Sequence, residues 1–136
     1  DLNFLTIHGR SRFPGLFVWT RQGERGFCVC SSRHHGAGKK MMVRVPMHCL
    51  LLQAGKQFEW LTGGEVLAGF HEVVVAEATI KAMDDARKAS RSLWRVSSTL
   101  FGHIASDQVL EPLGHFANKE TLAKYPPTKA GKQVRY

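Results

Sequence analysis

The chain has 136 residues, 43% of them hydrophobic and 22% charged, a composition that suits one globular domain and excludes disorder along its whole length. No apolar run approaches the roughly 18 residues of a membrane-spanning helix. Nineteen Lys+Arg against eleven Asp+Glu give a formal net charge of +8, which favours an anionic partner, either nucleic acid or small carboxylates.

The excess charge is partly local. The segment from Arg33 to Arg44 has four positive charges, two histidines and no acid, and the stretch from Lys119 to Tyr136 has five positive charges against Glu120 alone. Such loops and tails are ordinarily solvated surface. Three cysteines, Cys28, Cys30 and Cys49, do not make a disulfide framework, and a reducing, cytoplasmic setting is expected. Cys28-x-Cys30 before His34-His35 lacks the ligand spacing of a structural zinc site. The sequence opens on Asp1 and enters a strand-like run at once, with no secretory leader pattern, and reads as part of a longer protein.

In chain order, Leu2–His8 reads as a strand with imperfect alternation, followed by a turn-rich break from Gly9 to Gly15. Leu16–Thr20 is a second strand, and Arg21–Gly26 turns the chain into Phe27–Cys30. A polar loop, Ser31–Lys40, precedes strand character at Met41–Val45 and Cys49–Gln53, the latter apolar enough to be buried on both faces. Gly55 leads into Gln57–Leu61, read as further strand, and Gly63-Gly64 into Glu65–Ala68. His71–Ala76 contains three consecutive valines. One helix is predicted, capped by Thr79 and running over Ile80–Arg91, with Ile80, Met83 and Ala86 on its inner face and Asp84 and Lys88 paired outside. Leu93–His103 returns to strand, and the remainder is a loop-rich tail with at most a short helical turn. Many short strands with glycine turns predict a mainly β antiparallel sandwich or barrel.

Four residues could carry chemistry. Asp1 and His71 are a carboxylate and an imidazole at strand positions that a closed β structure can bring together, the ligand types of an open-sided ferrous site. Such a site needs a second histidine, and His8 has the wrong parity relative to Asp1 to supply it. Arg95 and Ser97 share a parity and face the same way. A guanidinium directed into a β structure needs an anionic partner, with a carboxylate the natural one and the hydroxyl a second donor; a solvent-facing Arg95 paired with an acid is the other reading.

The order of short motifs resembles the iron(II)- and 2-oxoglutarate-dependent oxygenases, in the branch that contains isopenicillin N synthase. It runs Asp1-x-Asn3-x-Leu5-Thr6, Gly15-Leu16, Val45-Pro46, Leu50–Gly55, Glu59-x-x-Thr62-x-Gly64, His71-Glu72-Val73, Arg95-Val96-Ser97 and Ser106–Val109. The resemblance covers residues 1–112, leaving 113–136 as a basic tail. It implies a partial double-stranded β-helix, or jelly roll, with one inserted helix near residues 79–91. It also implies Asp1 and His71 as two of three iron ligands, one ligand being absent, so that this chain alone would be inactive. Arg95 and Ser97 would hold a carboxylate, of 2-oxoglutarate or of the substrate. The implied cofactors are Fe(II) and, less directly, 2-oxoglutarate. The implied reaction is C–H oxidation of a small organic molecule, driven by O₂ and cosubstrate decarboxylation. A partial barrel would leave strand edges open to self-association. The alternative is a non-catalytic basic β-barrel that binds single-stranded nucleic acid or a protein; tryptophans 19, 60 and 94 at core positions argue against a nucleic-acid groove.

Overall fold

The computed structural model describes residues 2–19 and 39–134. Asp1, Cys28, Cys30, His34, His35 and the strand expected at Phe27–Cys30 lie outside them.

Two three-stranded antiparallel sheets form the body. One contains β1 (Leu5–His8) at its centre, between β4 (Leu51–Ala54) and β6 (Thr99–Gly102). The other contains β2 (Leu16–Trp19) between β3 (Lys40–Met42) and β5 (His71–Val73). The chain therefore crosses repeatedly from sheet to sheet, and every strand pair is antiparallel.

Register decides which side chains turn inward. Thr6 stands opposite Gln53 and Phe101, and His8 opposite Leu51 and Thr99, so these six share one face of the first sheet. The other face holds the row Leu52, Ile7, Leu100, whose two leucines are largely exposed. In the second sheet buried Val18 lies between Met41 and His71, and Leu16 opposite Val73. Its outer face holds Lys40, which pairs with Glu72 and stands 4.6 Å over the ring of Phe17 and 5.4 Å over that of Trp19. Trp19 packs edge-on against Phe70, with ring centroids 4.9 Å apart.

Gln57–Leu61 is not a strand. It lies in helix α1 (Lys56–Leu61), and its buried side chains are the polar Gln57 and Glu59. Gln57 Oε1 accepts from the Ile104 N–H at 2.8 Å. Glu59 accepts from Lys56 Nζ, from the Ala68 N–H at 2.9 Å and from the Tyr125 hydroxyl at 3.2 Å. The helix closes with Gly63 N–H on Trp60 O and Gly64 N–H on Glu59 O, both glycines having positive φ. At Gly55 the chain passes so close to Asn3 that a Cβ would overlap its backbone carbonyl.

Helix α2 spans Glu77–Lys88, starting earlier and ending sooner than the sequence predicts. Thr79 is inside its first turn, where Oγ1 accepts from the Ala76 N–H and donates to Pro14 O. Its fully buried positions are Thr79 and Ala86; Ile80 is exposed, and Asp84 pairs with Arg87 in place of Lys88. Arg91 N–H on Ala86 O and Ser90 N–H on Arg87 O end it, with Ser90 at φ 50. Residues 91–98 are irregular, although the Gly9 N–H bond to Ser98 O prolongs the β1–β6 ladder by one step.

The tail is more regular than expected. β7 (Val109–Leu110) pairs with β8 (Thr128–Lys129), and α3 (Lys119–Lys124) and α4 (Ala130–Gln133) are short helices. Asn118 caps α3, its Oδ1 accepting from Glu120 and Thr121 N–H groups while Thr121 Oγ1 accepts from the Asn118 N–H. Among the described residues no helix is long and apolar enough to cross a membrane.

Candidate functional site

The inner faces of the two sheets and helix α2 line a cavity of about 590 Å³ that is open to solvent on one side. His71 reaches it from β5, and Arg95, Ser97, Thr99 and Phe101 line it at alternate positions along β6 and the segment before it. The shared parity of Arg95 and Ser97 thus holds although regular strand begins only at Thr99. Three of the four sequence candidates meet at one cavity; Asp1 is outside the described residues.

Arg95 is half-buried, and its Nε is fully buried without a hydrogen-bond partner. A buried donor left unmatched costs about 1–3 kcal/mol. No described acid lies within ion-pair distance of Arg95, so the solvent-facing, acid-paired arrangement is not what the structure adopts. Ser97 is exposed, at the rim.

The sheets are joined beside His71 by a residue that sequence reasoning missed. Gln53, buried on β4, donates from Nε2 to His71 Nδ1 at 2.9 Å and to Gly69 O at 3.2 Å, and its Oε1 lies 3.2 Å from His8 Nε2. The two imidazoles are edge to face, with centroids 5.8 Å apart. Nδ1 of His71 is therefore engaged, leaving Nε2 for a ligand. Burial, and secondarily the neighbouring His8, hold the His71 pKa below its ordinary 6.5. Both effects favour the neutral ring, the form that ligates metals. A glutamine inside the apolar run Leu50–Ala54 was the available signal, since a buried amide implies partners.

Helix α2 supplies a wall. Ala78, Lys81, Ala82 and Asp85, spaced for one helical face, line the cavity, and Arg12 and Arg44 reach it from the segments after β1 and β3. The sequence pattern places Trp94 in the core, but it is 82% exposed. Trp60 is partly buried, its Nε1 donating to Pro126 O at 3.1 Å. Among the described residues, no three His, Cys, Asp or Glu side chains gather as a metal cluster.

No family model matches the chain, and no curated protein matches it. Solved structures do. A Caulobacter crescentus protein assigned to the 2OG-Fe(II) oxygenase family superposes with a TM-score of 0.66 at 22% identity, over 99% of this chain and 36% of that one. A full-length Neurospora crassa protein, solved in complex with alpha-KG and 5-formyluracil, superposes at 0.68 with 14% identity, over 98% of this chain and 35% of that one. The same Neurospora protein with alpha-KG alone gives 0.68 over 98% and 34%. The chain shares the fold of part of these proteins and spans about a third of their length.

Proposed function

We propose that this chain carries the cosubstrate- and iron-binding part of a non-haem Fe(II), 2-oxoglutarate-dependent oxygenase of the isopenicillin N synthase-like branch, acting on a small organic molecule. On this reading the two sheets are part of a jelly roll, and the cavity is its mouth. The observation that carries the proposal is the convergence of His71, Arg95 and Ser97 on one cavity, with the Arg95 Nε buried and unmatched.

The residues fit the groups. The Arg95 guanidinium would offer a charge-assisted hydrogen bond to the distal carboxylate of 2-oxoglutarate once the side chain turns toward it, a movement that also gives its unmatched Nε a partner. The Ser97 hydroxyl is a second donor on the same side. His71 Nε2 would be one iron ligand and Asp1 the carboxylate, the two members of a facial triad that the motif order supplies. With Nε2 on a metal the ring proton sits on Nδ1, and Gln53, turned end for end, would accept it through Oε1 and hold the ring in place. When bound, iron and 2-oxoglutarate would supply O₂ activation and the oxidising power. The protein's part is to orient a carboxylate with Arg95 and Ser97, fix the imidazole and limit water.

Calorimetric titration of 2-oxoglutarate with Mn(II) as a redox-silent metal tests this. Arg95→Met is expected to weaken cosubstrate binding about tenfold or more, the scale of one charge-assisted contact. His71→Ala is expected to weaken Mn(II) binding. If the unmodified chain takes up no 2-oxoglutarate, the proposal is overturned.

A further inference from the structure

The cavity holds more positive charge than metal and cosubstrate account for. Five cationic side chains line it, Arg10, Arg12, Arg44, Lys81 and Arg95, against one carboxylate, Asp85. Among the described residues the ion pairs are Lys40–Glu72, Lys56–Glu59 and Arg87–Asp84, none involving a lining cation. The charges of Fe(II) and 2-oxoglutarate cancel. Setting Asp85 against the five cations leaves a surplus of four among the described lining residues, and one further carboxylate ligand to the iron would still leave three. Arg10, Arg12, Arg44 and Lys81 are solvent-exposed and Arg95 half-buried, so the surplus attracts anions at the cavity rim in a salt-dependent way.

The surplus has a structural source. Arg12, Arg44 and Lys81 arrive from three separate segments, and Lys81 stands on α2 with Ala78 and Ala82 beside it on the same face, leaving space around its ammonium. Asp85, one turn further on, is not within ion-pair distance of it. Phe13, Leu16, Val43 and Val73 give the same cavity apolar surface. Its volume of about 590 Å³ falls within the roughly 300–1,000 Å³ of small-molecule sites.

We infer that the primary substrate is an amphipathic organic anion, an apolar body bearing a carboxylate or other oxyanion, whose charge is held by Arg12, Arg44 and Lys81 while Arg95 serves the cosubstrate. Helix α2 is then a specificity element. This rests on the cavity being the oxygenase site, and the test separates the two.

The probes are 4-phenylbutyrate and its neutral amide, 4-phenylbutyramide, titrated calorimetrically into the full chain with saturating 2-oxoglutarate and Mn(II). The carboxylate is expected to bind about tenfold or more tighter than the amide, as charge-assisted contacts predict. The double variant Arg44→Gln/Lys81→Gln, exposed in both positions, should reduce that preference to about threefold or less while weakening 2-oxoglutarate binding by a smaller factor, since Arg95 is kept. Lys88→Gln, on α2 but off the lining, should retain it. Equal binding of the two probes to the unmodified chain, or binding of neither, overturns the inference even if 2-oxoglutarate binds normally. A carboxylate preference that depends on Arg44 and Lys81 in a chain that takes up no 2-oxoglutarate supports the anion site and removes the oxygenase reading instead.

Discussion

The turn around α1 and the wall of the cavity both bury polar side chains, but treat them oppositely. Around α1 the buried carboxylate of Glu59 has an ammonium, a backbone N–H and a hydroxyl as partners, and Thr62 bonds to Phe58 and Val66. Across the cavity a guanidinium nitrogen is buried with nothing to bind, and four further cations face one carboxylate. Satisfied polar groups tie elements together and are silent toward ligands. Unsatisfied ones are a standing cost that a ligand can remove. The contrast holds between these two groups of residues. Asn3 Oδ1, beside the start of α1, and Gln133 Oε1 are also buried without partners, so an unmatched atom marks a site only where charge and a cavity accompany it.

The largest expected effect is at the satisfied end. Glu59→Ala would leave the buried Ala68 N–H without its carboxylate acceptor and remove the Tyr125–Glu59 bond that links α1 to the residue following α3. We expect a loss of about 3 kcal/mol, on the scale of breaking a buried charged network. It should appear in urea unfolding as a lower midpoint at unchanged m-value. A loss under about 0.5 kcal/mol would mean that the network contributes no more than an ordinary surface position.

Arg95→Met is expected to act in the opposite sense. Removing a buried donor that has no partner relieves its desolvation, so stability should hold or rise by up to about 1 kcal/mol while 2-oxoglutarate binding weakens about tenfold or more. Destabilisation of about 2 kcal/mol or more would show that Arg95 is part of the scaffold and erase the contrast.

The same contrast explains what the sequence made legible. The alternation of Arg95, Ser97 and Thr99 was readable because parity survives where hydrogen-bonded strand does not, and His71 was readable as an inward position on an apolar strand. α1 was not readable as a helix: Gln57-Phe58-Glu59-Trp60-Leu61 alternates like a strand, and its buried members are the polar ones, the reverse of the usual code. The end of α2 was misjudged because a serine, not a glycine, takes the left-handed position after it. The inner face of α2 was missed for the same reason as the cations of the cavity. Lys81 and Asp85 lie at the edge of the cavity while remaining exposed, and Ile80 is exposed as well, which no amphipathic pattern anticipates. The capping box at Asn118 and Thr121 was in the sequence as an Asn-x-x-Thr signal, weakened by the prolines nearby.

Trp94 sharpens the contrast from its weakest side. A tryptophan normally brings a large apolar area into a core, but here it is 82% exposed, and its backbone N–H donates locally to Ser92 Oγ. It belongs to neither the satisfied scaffold nor the unsatisfied site, since it lies on the parity opposite to Arg95 and does not line the cavity. Trp94→Ala should therefore shift stability by less than about 0.5 kcal/mol and leave 2-oxoglutarate binding unchanged. Adding single-stranded DNA at two salt concentrations makes the same variant informative about partners: exposed aromatic stacking near Arg91 would give an affinity that weakens with salt and falls on removal of the indole. A flat response in both proteins confines the chain's anion recognition to the cavity.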